Sequence, residues 1–425
     1  MNMNIKSVCM YTAQIEQAGG IESVIRCLQS ILVKHGLDCW VACETGSPIG
    51  IHDKDYKLFP NDTEARRKLW DCLIEAKRVD VVVFHHVPTH YVDNEIPYLK
   101  SRGVRCLNMI HAPFPSAFLL GGAERDLEAL MARAKLCDMV VAVSRMDTLF
   151  WNALGVKAVH VQNPFVRMLT NPEATKRTYE DGKANLLWVG RFCDQKQPMQ
   201  ALLAFARVQK ACPNATLTMV GGGEKGIKYF ARSAKKLGIT GGVTFVPSTH
   251  SIAEYWGNAD IHLLTSVCES FCLVWAEAKS VGLPTVMFDM PYLELASDKR
   301  AYISVPQDDV TALADAAIML VNDGTKRREM GRYAKESLSQ FNHDSVWNTW
   351  ENAFAALYGD VPVATISPEV QYVVTQCFWG WSRYCARNLW AIRMVEQWKR
   401  LTGVSMRWFA KTIDAVIRMA RKVFG

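Results

Sequence analysis

Glu269 and Glu277 bracket an almost wholly apolar run in CESFCLVWAE, residues 268–277. The AKSVGLP that follows reads as a helix end, with Gly282 past the last turn and Pro284 barring continuation. A helix that is apolar nearly all round belongs in an interior, where a carboxylate needs a partner. The strand-like IHLLTS precedes it, so Glu269 falls on the loop before the helix and Ser270 suits the N-cap. Glu277 then stands two turns further on, about 9 Å along the axis at 1.5 Å per residue. At that separation the two do not share a proton as a carboxylate dyad does. They suit the two ends of an elongated ligand, with the amides of Phe271, Cys272, Leu273 and Val274 between them facing phosphate or sugar hydroxyls. A nucleotide sugar has that shape, with ribose, diphosphate and hexose in line.

Two further groups fit such a ligand. VGRFCDQK, residues 189–196, follows a strand and precedes a helix, which puts Gly190, Arg191 and Lys196 at a strand's carboxyl end. A planar guanidinium fork and a compact ammonium together can neutralise a leaving diphosphate. The plainer reading is a pair of solvated loop cations. Near the N-terminus, VCMYT leads through AQIEQAGG into a helix starting at Ile21 or Glu22, and Gly19 and Gly20 let backbone approach an anion there. A tight turn explains that glycine pair equally well.

The elements that must carry these loops alternate. IKSVCMY, DCWVAC, DVVVFH, RCLNMIH, MVVAVS and KAVHVQN read as strands, with helical IESVIRCLQSILVKHG and ERDLEALMARAKLC between them. After a polar stretch the pattern restarts with NLLWVGR, ATLTMVGGG, GVTFVP, IHLLTS, LPTVMFD and AYISVP. This is an α/β chain of two doubly wound Rossmann-like domains in tandem. Ligands of such sheets bind beyond the strands' carboxyl ends, so a cleft between the domains is the expected site. The expected division is 1–166 for the first domain, 167–184 for a linker, 185–345 for the second domain, 346–366 for a returning helix and linker, and 367–425 for a basic, aromatic, amphipathic helical tail.

Composition narrows the class. The 425 residues are 49% hydrophobic and 21% charged, ordinary for a soluble protein, and too many for one core. The sequence has no apolar run of membrane-spanning length and no signal-peptide core. Thirteen scattered cysteines without C-x-x-C suit buried reduced thiols in a cytoplasmic protein better than a metal site. The net charge of +7 lies in the tail: residues 371–425 carry ten Lys and Arg against Glu396 and Asp414, which leaves 39 basic and 40 acidic side chains elsewhere.

The combination of GGIE, VGR with Lys five residues on, and E-S-F-x-L-V-x-x-E followed by A-x-x-x-G-L-P resembles the family-four retaining glycosyltransferases of the GT-B fold. The resemblance covers roughly residues 5–358, and AVSRMDTLFWNALGVKAVHVQNPF fits it through Ser144, Asn163 and Pro164. It implies that Glu277 binds the ribose hydroxyls and Glu269 the transferred sugar. It further implies that Arg191 and Lys196 stabilise the diphosphate, and that His111 of NMIHAPF lies by the donor sugar, as a weaker reading also allows for His85 and His86. Taken from its own surroundings, His111 fits a core or capping histidine equally well. The chain departs from the family's pattern where Cys272 replaces a usual glycine, where Lys196-Gln197 replaces K-G, and where FDMPYLE, with Asp289, Pro291 and Glu294, replaces a G-G-x-x-E loop.

The resemblance implies a nucleotide-diphosphate sugar as co-substrate, no other cofactor, and retention without a metal. No D-x-D sits at a suitable strand end, and DKD at 53–55 reads as a surface loop. A double displacement would need a carboxylate nucleophile, for which Glu269 is better cast as a sugar-positioning residue. A front-face transfer, in which the leaving phosphate helps deprotonate the acceptor, is what the resemblance implies, with catalysis then resting on positioning and on cations. A nucleotide-sugar epimerase of similar architecture is the alternative, as is a membrane-attached nucleotide-sugar-binding protein without activity. A dinucleotide-dependent oxidoreductase lacks its G-x-G-x-x-G after the first strand. On a helical wheel of the tail, Arg407, Lys411, Arg418, Arg421 and Lys422 share one face and Trp408, Phe409, Ile413, Val416, Met419, Val423 and Phe424 the other. Such a surface suits an anionic membrane, with packing on the body as the bland alternative and nucleic acid not expected. The expected setting is the cytoplasmic face of a bacterial inner membrane, with a glycan or lipid-linked acceptor.

Overall fold

The computed structural model describes residues 5–15, 20–45, 56–85, 90–113, 131–164, 179–193, 195–249 and 251–359. Gly19, His86, the stretch 53–55, most of the expected linker and the whole tail lie outside the described residues.

Seven strands form the first sheet: β1 (Ser7–Gln14), β2 (Asp38–Thr45), β3 (Tyr56–Leu58), β4 (Val81–His85), β5 (Arg105–Ile110), β6 (Met139–Ala142) and β7 (Ala158–His160). Their order is β3-β2-β1-β4-β5-β6-β7, and every pairing is parallel. Strands of a parallel sheet are covered on both faces, which is why VVVFH is buried at all five positions. Helices α1 (Gly20–Lys34), α2 (Thr63–Lys77), α3 (His90–Ser101) and α4 (Arg145–Ala153) belong to this half. β3 escaped the sequence reading: three residues at a sheet edge are too few to show a period.

The second sheet comprises β8 (Asn185–Val189), β9 (Thr216–Val220), β10 (Val243–Val246), β11 (Ile261–Leu264), β12 (Thr285–Phe288) and β13 (Tyr302–Val305). Its order is β10-β9-β8-β11-β12-β13, again all parallel. Helices α5 (Pro198–Ala211), α6 (Glu224–Lys236), α7 (Ile252–Gly257), α8 (Leu273–Ser280), α9 (Val310–Val321) and α10 (Gly324–Glu336) connect its strands or flank them. Each sheet reverses its strand order once, between β1 and β4 and between β8 and β11. These switch points open a crevice at the strands' carboxyl ends.

The last described helix, α11 (His343–Leu357), packs back on the first sheet's side. The Lys157 ammonium donates to the Ala356 carbonyl at 2.6 Å, Gln162 N–H to Thr349 Oγ1 at 3.0 Å, and Trp347 stacks on His35 with centroids 4.2 Å apart. One apolar cluster therefore runs from Val24, Leu28 and Ile31 of α1 through Trp350 of α11 to Phe271 and Trp275 beside the second sheet.

Candidate active site

The second switch point brings together the residues that sequence spacing kept apart. Lys196 lies on the loop after β8 and Glu269 on the loop after β11, 73 residues away, yet the Lys196 ammonium donates directly to Glu269 Oε1. Thr265, just past β11, braces the two loops. Its hydroxyl reaches the carbonyls of Lys196 at 2.8 Å and Gln197 at 3.1 Å, and it accepts the Trp188 indole N–H at 2.9 Å. Gln195 adds a bond from its amide to the Cys268 carbonyl at 3.0 Å, and Val267 N–H returns one to the Gln195 carbonyl at 2.9 Å. Burial works against the Lys196 charge, but the Glu269 carboxylate outweighs it and holds the ammonium above its ordinary value. Among the described residues this ammonium bonds Glu269 alone, so two of its three donors are left for a ligand. Arg191 is exposed on the same loop, close enough to oppose the Lys196 charge.

Gly190 sits where the β8 and β9 loops touch. A Cβ at Gly221, whose φ is 130°, would lie 2.1 Å from the Gly190 carbonyl oxygen. Gly20 opens α1 across the crevice, and a Cβ there would come within 3.2 Å of the Leu273 side chain. The start of α1 and the start of α8 thus face each other closely.

The start of α8 corrects one expectation. Cys272, not Ser270, occupies the N-cap, with φ 69° and ψ 69°, so Leu273 and Val274 supply the first helical amides while Phe271 and Cys272 form the turn before them. Ser270 instead spans the crevice, its hydroxyl donating to the His111 carbonyl at 3.0 Å. Two replacements of family glycines now have a physical setting. Gln197, at φ 46°, and Cys272 both take left-handed backbone, the region glycine tolerates best, and each flanks one partner of the Lys196–Glu269 pair.

Glu277 is half-buried on α8, and its Oε2 accepts the Trp256 indole N–H at 3.1 Å. His111 directly follows β5 and its Nε2 lies 3.0 Å from Nδ1 of His85 at the end of β4. The loop 289–294 proves to be a strut between the halves. The Tyr292 hydroxyl accepts the Glu269 N–H at 3.2 Å, while Glu294 Oε1 lies 2.8 Å from His160 Nε2 and 3.2 Å from Arg145 Nε, both on the first sheet's side. Burial opposes ionisation of Glu294, but His160 and Arg145 hold its carboxyl below the usual range. Thr265, Trp256 and Tyr292 were not singled out from sequence. Only Tyr292 left a trace there, a hydroxyl-bearing aromatic beside a proline in a strand-end loop.

Gly190, Arg191, Lys196 and Glu269 therefore lie on loops after β8 and β11, and Leu273, Val274 and Glu277 on α8, with Gly20 and His111 on the first sheet's side. Among the described residues no cluster of His, Cys, Asp and Glu suits a metal ion.

Residues 172–337 match the family model of the glycosyl transferases group 1. An exopolysaccharide phosphotransferase of Streptomyces coelicolor is 28% identical over 237 residues, 54% of this chain and 24% of the relative, so the chain spans only about a quarter of that protein's length. A D-inositol 3-phosphate glycosyltransferase of Corynebacterium urealyticum is 28% identical over 418 residues, 85% of this chain and 96% of the relative. Among solved structures, Anabaena HepE in complex with UDP-glucose superposes with a TM-score of 0.65 at 17% identity, over 81% of this chain and 99% of that one. With two facing Rossmann-like sheets and a group 1 match over residues 172–337, the chain has the GT-B fold, and its second half is similar to the group 1 glycosyl transferases.

Proposed function

We propose that the protein transfers a sugar, with retention at the anomeric carbon and without a metal ion, from a nucleotide-diphosphate donor to a lipid-linked glycan acceptor in cell-surface polysaccharide synthesis. The observation that carries this reading is the Lys196–Glu269 pair at the second switch point, one residue from the Ser270 bridge to His111. Glu277 takes the ribose diol, Glu269 the hexose, and Arg191 and Lys196 the diphosphate, with the α8 amides of Leu273 and Val274 beside it. As the bond from the anomeric carbon to the leaving phosphate oxygen breaks, charge grows on the diphosphate. Cations already held in place stabilise that charge without reorganising. The acceptor oxygen bonds the same face of the sugar, and its proton passes to the departing phosphate oxygen. The Anabaena neighbour's UDP-glucose and the Streptomyces relative's exopolysaccharide name support the donor and product classes.

The test uses the full chain, a panel of nucleotide sugars and lipid-linked acceptors, with chelator present. Product carrying the donor's anomeric configuration, formed at an undiminished rate, is expected. An inverted product, or loss of activity on chelation, would refute the mechanism, and conversion of donor sugar without acceptor would favour the epimerase. We assign attachment to the cytoplasmic face of the inner membrane to the ten Lys and Arg of residues 371–425. Truncation after Asp360 is expected to abolish sedimentation with anionic liposomes while donor binding persists, and equal sedimentation of both forms would remove the membrane from the proposal. Among the described residues no helix is long and apolar enough to cross a membrane.

A further inference from the structure

We propose that His85 is a positioning residue that fixes His111 as a neutral imidazole protonated on Nδ1. His85 ends β4 at the switch point of the first sheet and is 1% exposed. Its Nδ1 lies 3.0 Å from His111 Nε2, with the rings stacked at 5.3 Å between centroids and 21° between planes. Only one proton fits between two nitrogens at that distance, so one ring must donate there and the other accept. His85 Nε2, in turn, is buried and meets no hydrogen-bond partner among the described residues.

Burial, and after it the neighbouring His111, hold His85 well below the usual imidazole range, so it is neutral and carries a single proton. Placed on Nε2, that proton would make a buried N–H with no acceptor. Placed on Nδ1, it is given to His111, and only a lone pair is left bare. A stranded buried N–H is the rarer defect in folded proteins. The proton therefore belongs on His85 Nδ1, His111 Nε2 accepts it as a hydrogen bond, and the His111 proton resides on Nδ1.

His111 held in this way cannot take a proton through Nε2 without turning His85 into a stranded donor. It acts as an oriented dipole and not as a general base. The Ser270 bond to the His111 carbonyl ties the same residue to the loop of Glu269, whose charge Lys196 balances. The consequence for transfer rests on the proposed placement of His111 beside the donor sugar. The tautomer does not, and it can be measured with no nucleotide sugar present.

The experiment is nitrogen-15 spectroscopy of the full chain labelled at histidine, near neutral pH, with His111→Gln used to assign the signals. His111 is expected to show a bare-nitrogen signal for Nε2 and a protonated one for Nδ1. His85→Leu, which removes the donor, should shift His111 toward the Nε2-protonated form, and His85→Gln, which offers an amide N–H, should restore the Nδ1-protonated form. A protonated His111 Nε2 in the unsubstituted protein would overturn the proposal, as would an unchanged tautomer in a folded His85→Leu. Should His85→Leu fail to fold, the unsubstituted protein's spectrum decides by itself. Absence of transferase activity alongside the expected tautomer would refute the function proposed above and leave this assignment standing.

Discussion

Arg66 and Lys196 both face carboxylates, and they sit in opposite settings. Arg66 of α2 is 1% exposed and its fork is occupied. It donates from Nε to Glu95 Oε1 at 2.6 Å, from Nη2 to Glu95 Oε2 at 3.2 Å and to the Tyr11 hydroxyl, and from Nη1 to the Pro60 carbonyl at 3.1 Å. Glu44 stands 3.5 Å away and the Phe59 ring lies 5.1 Å from the guanidinium carbon. Lys196 keeps 15% of its side chain exposed, bonds one carboxylate among the described residues, and stands at a switch point with two further N–H donors. A carboxylate partner and at least partial burial are common to both, so neither marks a site. On the proposed function, what separates a strut from a tool is unused hydrogen-bonding capacity at the end of a strand.

The contrast breaks first at Arg66. Arg66→Leu strands Glu95, whose carboxyl burial already raises against the lowering pull of Arg66, and should cost about 3–5 kcal/mol of stability, read by urea unfolding. A loss under about 1 kcal/mol would show that the aromatic cage, and not the ion pair, holds this region. Lys196→Ala should invert the pattern, leaving the fold intact while lowering turnover by about 10²–10³-fold. Near-normal turnover in the folded variant would reduce Lys196 to a second strut. Lys279, fully buried on α8 and bonded to the Leu295 carbonyl at 2.6 Å and Ser337 Oγ at 2.8 Å, is a further buried cation, bonded to no carboxylate among the described residues. Burial lowers it to about 8, with Asp298 opposing, whereas the unfolded chain keeps that proton to near 10.5. Between those values the native state binds fewer protons, so stability should rise with pH, by up to about 3 kcal/mol relative to Lys279→Met. A pH-independent difference between the two proteins would contradict this. Glu277→Ala should weaken donor binding by about 1.5–3 kcal/mol for each lost bond, and unchanged affinity by calorimetry would remove the ribose role. The smallest effect is expected at Gln197→Gly, which relaxes left-handed backbone beside Lys196 and should raise stability by at most about 1 kcal/mol. A drop in melting temperature would mean that the 3.1 Å bond from Gln197 to Asp308 outweighs the strain.

The architecture was legible because parallel strands buried on both faces leave short, β-branched apolar runs such as VVVFH that alternate with longer helical patterns. That pattern left YKL of β3 unread. Site residues were legible where a loop had to follow a strand, as with Lys196 after NLLWV and Glu269 after IHLL. Their direct bond was not, since nothing local records which loops a switch point will join. Ser270 was misread as a cap because side-chain chemistry favours serine over cysteine there, yet its hydroxyl finds the His111 carbonyl across the crevice. The Arg66 cluster left no trace at all. An arginine in TEARRKLWDCLIEAK looks like any solvated helix cation until Glu95 and Tyr11 fold around it.

The return of α11 also bears on synthesis. The first sheet ends at β7, but the helix that covers His35 and anchors Lys157 is encoded some 180 residues later. At about 5–20 residues per second, a ribosome needs on the order of 10–40 seconds to deliver it. During that interval the nascent N-terminal half waits with part of its apolar surface, around Val24, Leu28 and Ile31, still lacking its last neighbour. Vectorial folding from the N-terminus therefore cannot complete one half before the other begins, and the two halves are finished together by the same helix.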